Sequence, residues 1–193
     1  MPYRKFAFAI GEHYHIYNRG TNYGDVYLHR EDCLLFLRLL RKHLVEKETL
    51  ELYAYCLMPN HFHLLVHLLT DRLSSSMQAM MLAYTKTINH KYGRVGPLFQ
   101  GRFKAVHVAD DAYLGLLMKY IHWNPVEAGL VRAPEVWEFS SCRDYLGLRN
   151  GTLVPKWRLG RGPRVPYGPE ACDLSEAQKA RIGALTIDGG DRP

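Results

Sequence analysis

The stretch HFHLLVHL, residues 61–68, places three imidazoles within eight residues. Read at the two-residue period of a strand, Phe62, Leu64, Val66 and Leu68 take one face, and His61, His63, Leu65 and His67 the other. Same-face neighbours on a strand stand roughly 6–7 Å apart, close enough for His61 and His63 to converge on one metal ion. His67 is about 13 Å from His63 by the same rise, too far to join that ion from a regular strand. Any further ligand must come from another element. A second pair of equal spacing, His13 and His15 in HYH, leaves a four-histidine zinc site open as an alternative. The other alternative needs no metal: partly exposed histidines on a sheet face, hydrogen-bonded to their neighbours.

These side chains need a frame. HYHIYNRG alternates and stops at Gly20, which predicts a first strand. Leucines at helical spacing across residues 31–46 predict a helix. LELYAYCLM and HFHLLVHLL read as two strands joined by a tight turn at Pro59-Asn60. Residues 74–91 form a second helix, ended by Gly93, and GRVGPLFQGRFKAVHV is a glycine-punctuated loop entering a strand. DDAYLGLLMKYIHWNP is a third helix, with aspartates at its start and Pro125 closing it. The order β-α-β-β-α-β followed by a helix is an α+β, ferredoxin-like split βαβ pattern: an antiparallel sheet with helices packed on one face.

The chain of 193 residues suits one domain, residues 1–148, and an appendage, residues 149–193, a basic arm rich in Gly and Pro. Within that arm, LSEAQKARIGAL predicts a short terminal helix with Ser175 and Gln178 as a capping box. A net charge of +6 favours a polyanionic partner. Cys33, Cys56, Cys142 and Cys172 form no CxxC pair, which argues against a disulfide framework and a cysteine zinc site. No apolar run suits a secretory signal or a membrane span, so a cytoplasmic location is expected, with no membrane partner.

Five segments occur in an order that resembles a known family. They are YHIYNRG (14–20), YCLMPNHFHLLV (55–66), GPLFQGRFKA (96–105), YIHWNPVEAGLV (120–131) and WEFSSCRDYLG (137–147). Together they resemble the HUH single-strand endonucleases, specifically the tyrosine transposases of small insertion sequences, and most nearly the REP-associated tyrosine transposases. The resemblance implies that Tyr120 is the nucleophile. It also implies that His61, His63 and the amide oxygen of Asn124 hold a divalent metal ion, Mg²⁺ or Mn²⁺. The insertion-sequence branch more often has Gln at the third ligand; Asn is what the REP-associated branch leads one to expect. The implied activity is a transposase-type single-stranded DNA endonuclease and strand transferase, cleaving and rejoining DNA near hairpins through a 5′-phosphotyrosine intermediate. Insertion-sequence relatives act as dimers, so a homodimer is one assembly the resemblance allows.

Without the resemblance, these residues read less sharply. Tyr120 and Asn124, four apart on a helix, lie on nearly one face, offset by about 40°. Tyr120 would also serve as a core residue, and Asn124 before Pro125 as a helix cap. Tyr84 is a competing phenol. For holding DNA, Arg19, Arg94, Arg102 and Lys104 offer charge, and Phe99 and Phe103 offer stacking, unless those rings are core. A non-catalytic DNA-binding regulator and a metal-dependent hydrolase with a structural Tyr120 remain the competing functions.

Overall fold

A computed structural model of the chain describes residues 7–155. Its strands are β1 (His13–Arg19), β2 (Leu50–Met58), β3 (His61–Leu68) and β4 (Lys104–Val108). Its helices are α1 (Arg30–Leu40, continued by a wider π-type turn over Arg41–Val45), α2 (Leu73–Lys91), α3 (Asp111–Glu127) and the single turn α4 (Cys142–Tyr145). The strands form one sheet in the order β2-β3-β1-β4, and every neighbouring pair is antiparallel. This is the ferredoxin-like α+β arrangement, with β3 and β1 at the centre of the sheet.

The alternation of β3 decides what lies on each side. Phe62, Leu64, Val66 and Leu68, all fully buried, join Ile16, Leu52 and Leu57 against Phe36 and Leu40 of α1 and Met77, Met80 and Tyr84 of α2. The two helices of the βαβ pattern thus share one face, as the element order implies. The opposite face, which carries the histidines, is roofed by α3. There Leu65 packs with Ala54, Cys56 and Met58 against Tyr113, Leu114, Leu117 and Ile121.

One carboxylate ties α1 to α2. Asp32 accepts from the Leu28 and His29 backbone N–H groups at 3.0 and 2.9 Å, from the Tyr92 hydroxyl at 2.8 Å and from Lys91 Nζ at 2.7 Å. Burial alone would raise its pKa, but the donors from Lys91, Tyr92 and the backbone outweigh that and hold it below its ordinary value. A depressed carboxyl contributes stability that is complete above its unfolded pKa and is lost as pH falls through the folded one. Asp32→Asn is therefore expected to cost roughly 2 kcal/mol at neutral pH. In urea titrations, the gap to the parent should narrow once the pH drops below about 4.

The segment after α3 covers the outer edge of β2. Leu57 N–H donates to Phe139 O at 2.9 Å, Ser141 N–H to Tyr55 O at 3.0 Å, Trp137 Nε1 to Leu57 O at 2.9 Å and the Tyr145 hydroxyl to Tyr53 O at 2.7 Å. An edge that would otherwise expose unpaired backbone groups is closed. Leu153 and Val154 are buried in the α1–α2 core, so the packed chain runs past residue 148, where composition placed the boundary. The expected terminal helix and the rest of the basic arm, from residue 156 on, lie outside the described residues.

Pro125 does not close α3, which continues to Glu127. A proline this near the C-terminal end removes one backbone donor without breaking the turns before it. Gly129, at φ +68°, follows with its N–H on Val126 O. Asn124 is consequently a helical residue and not a cap. Among the described residues, no helix is long and apolar enough to cross a membrane, and Cys33, Cys56 and Cys142 are buried free thiols.

Candidate active site

The strand period turns His61 and His63 toward α3, and the register of β1 brings His15 beside them. Tyr17 pairs with His63 and His15 with Leu65, so His15 reaches His63 diagonally. Their rings stack at 5.1 Å between centroids, with His15 Nε2 2.9 Å from His63 Nδ1. Both are buried, which lowers the pKa of His15 to about 3. Burial, with His61, His15 and Arg19 nearby, holds His63 well below its ordinary value. Both rings are neutral at physiological pH. The other nitrogen of His63, Nε2, is buried with no hydrogen-bond partner.

His61 stands edge-on to His63, with centroids 4.9 Å apart and planes at 86°. Its Nδ1 meets Asn60 Oδ1 at 2.6 Å, while Asn60 Nδ2 donates to Tyr23 O at 3.2 Å. That second bond fixes which way the Asn60 amide points, so His61 Nδ1 carries the proton. In the neutral ring Nε2 is then a lone pair, 3.4 Å from Asn124 Oδ1, which is itself an acceptor. A cation between them would satisfy both acceptors, as would the Asn124 carboxamide turned to present its Nδ2.

Two imidazole nitrogens and a carboxamide oxygen, one of the nitrogens buried without a partner, suit a divalent cation, with the mixed N/O set favouring Mn²⁺ over the oxygen-preferring Mg²⁺. Among the described residues no group of three His, Cys, Asp or Glu side chains could hold a metal. The third donor here is an amide. Nor do the four histidines of the two pairs gather as a zinc site: His15 engages His63, and His13 lies with His67 at the far end of the face, rings 4.8 Å apart.

Tyr120, half-buried on α3, presents its ring edge-on to His63 at 5.7 Å between centroids. Tyr120 and Asn124 therefore reach the same pair of histidines from one helix. His122, between them in sequence, points elsewhere: its Nε2 is 2.7 Å from Ser141 Oγ, which also accepts from the Tyr55 N–H at 2.9 Å. This chain pins α3 to β2. Tyr84 is fully buried on the opposite face, donates its hydroxyl to Val26 O at 2.7 Å, and has its pKa pushed further up by burial. It has no access to a phosphate.

The residues expected to hold DNA divide. Arg94, Arg102 and Lys104 are exposed, and Arg19 lies with its guanidinium 4.6 Å from the Tyr23 ring centroid. Phe99 and Phe103 are 5% and 8% exposed and belong to the α1–α2 core, so their expected stacking role is corrected. The loop before β4 folds back on β1, with Gln100 N–H on Arg19 O and Thr21 N–H on Leu98 O, and turns both rings inward. Gly20 allows the tight turn that follows β1: a Cβ there would stand 1.9 Å from Gly24 O. Asn60 and the true place of His15 were not anticipated from the sequence. Asn60 read only as a turn residue, and the HYH pair carried no information on cross-strand register.

A protein of Haemophilus influenzae named "Putative REP-associated tyrosine transposase" is 30% identical over 124 residues, covering 57% of this chain and 69% of that one. A solved structure described as a REP-associated tyrosine transposase bound to a REP hairpin superposes with a TM-score of 0.64 at 20% identity. The match covers 76% of this chain and 86% of that one, and it bears on the fold alone. The family described as "Transposase IS200 like" matches residues 11–124, more than half the chain and a span that includes Tyr120, His61, His63 and Asn124. The chain belongs to the IS200-like transposase family.

Proposed function

We propose that this protein is a cation-assisted single-strand DNA endonuclease and strand transferase that acts beside DNA hairpins. The observation that carries the reading is that one turn of α3 brings Asn124 to His61 Nε2 and the Tyr120 ring against that of His63, whose Nε2 is buried without a partner. The Tyr120 oxygen attacks the scissile phosphorus, and the bond from phosphorus to the 3′ oxygen breaks. The products are a 5′-phosphotyrosyl link and a free 3′-hydroxyl, to which the proton is delivered. Attack by a second 3′-hydroxyl reverses the step and joins strands, so no nucleotide cofactor is consumed. A cation held by His61, His63 and Asn124 would supply charge neutralisation at the scissile phosphate. Arg19, Arg94, Arg102 and Lys104 would bind backbone phosphates around the site. Hairpin DNA is the favoured substrate because a similar fold is described in complex with one.

The test is a labelled single strand flanked by a hairpin, incubated with the protein and Mn²⁺ and run on a denaturing gel. A slow covalent band is expected. It should vanish with excess EDTA and return when Mn²⁺ is restored. Loss of charge stabilisation worth several kcal/mol predicts that His63→Ala slows its formation more than about a hundredfold. Hairpin binding without any adduct would leave a DNA-binding regulator; cleavage without one would leave a hydrolase.

A further inference from the structure

We propose that His15 is a positioning residue that holds His63 in the tautomer able to ligate a divalent cation, an inference that rests on the cation-assisted reading above. Both proposed ligands are gripped at Nδ1 by a neighbour: His61 by Asn60 Oδ1 at 2.6 Å, His63 by His15 Nε2 at 2.9 Å. For His61 the partner is an oxygen and the direction is fixed. For His63 the partner is another imidazole, and the direction is a choice.

If His63 Nδ1–H donates to His15, then His63 Nε2 is a bare lone pair. If His15 donates, His63 Nε2 carries the proton and cannot bind a cation. Without metal the two arrangements are matched, since each leaves one buried N–H without an acceptor, on His15 Nδ1 or on His63 Nε2. A cation selects the first. Metal occupancy and the direction of the His15–His63 bond are thus one equilibrium, housed in the two central strands of the sheet. Without an acceptor at residue 15, loading the site leaves His63 Nδ1–H buried and unpaired. Coordination at Nε2 makes Nδ1–H a stronger donor, so the missing acceptor costs more in the loaded state than in the empty one.

The probe is Mn²⁺ alone, titrated calorimetrically into full-length protein without DNA. His15→Phe keeps a ring but offers no acceptor; His15→Gln keeps an acceptor oxygen near the position of Nε2. His15→Phe is expected to weaken Mn²⁺ binding about 10–100-fold, the range typical of a lost outer partner to a metal-bound histidine. His15→Gln should stay near the parent. In the Mg²⁺-loaded parent, two-bond ¹H–¹⁵N correlation should show the His63 proton on Nδ1 and the His15 proton also on Nδ1. Equal Mn²⁺ affinities for the two variants, whether parental or weak, would reduce His15 to packing and overturn the inference. So would a proton on His15 Nε2 in the loaded parent, a result that needs no variant to fold. A parent that shows no saturable Mn²⁺ binding would sink the cation-assisted reading itself, and this inference with it.

Discussion

Tyr120→Phe is expected to abolish the covalent protein–DNA band while leaving hairpin binding and Mn²⁺ affinity close to parental. The substitution removes one oxygen and keeps the ring that lies edge-on to His63, so the packing beneath α3 is preserved. Removing the proposed nucleophile outright should lower adduct formation by about 10⁴-fold or more. Tyr84→Phe is the matched control. It deletes a hydrogen bond to Val26 O, costs about 1 kcal/mol of stability, and leaves the adduct intact. An adduct that persists in Tyr120→Phe would remove that residue from the chemistry.

The largest expected loss of stability is at Arg149. Its guanidinium pairs with both oxygens of Asp144 at 2.7 and 2.8 Å and donates to the Glu138 and Ser140 carbonyls, each at 2.7 Å. It also donates to the Tyr55 hydroxyl at 2.8 Å. The side chain of Asp144 is 1% exposed, so Arg149→Ala would strand a buried carboxylate together with two carbonyls. Breaking such a pair from one side costs about 3–5 kcal/mol, a large share of a typical domain's stability. Arg149→Lys keeps the charge but loses the planar fork, and should fall between parent and Ala. Urea unfolding monitored by circular dichroism measures all three. A loss under about 1 kcal/mol for Ala would show that the cluster is well hydrated.

How far the sequence alone reaches depends on the range of the information. The two-residue alternation of β3 identified its inner and outer faces, and the Pro59-Asn60 turn set the hairpin boundaries. Both are local properties. The end of α3 escapes the proline rule, which holds in a helix interior and not near the last turn, where Pro125 stands. Phe99 and Phe103 show the limit of composition: aromatic rings among cations look the same whether they face solvent or core, and only the fold-back onto β1 decides. The gathering of Tyr120 and Asn124 with the histidines entered through family resemblance, since 13 tyrosines cannot be ranked by type. The His15–His63 contact depends on pairing between strands 48 positions apart, which no local pattern encodes.

The hydrophobic clusters on the two faces of the sheet have no fully buried residue in common, and α3 draws on only one of them. The helix that bears Tyr120 and Asn124 is therefore seated on its own foundation. On the proposed chemistry, a tilt of that single lever would withdraw the Tyr120 hydroxyl and the Asn124 amide together, disarming the protein in one stroke without loosening the body behind it.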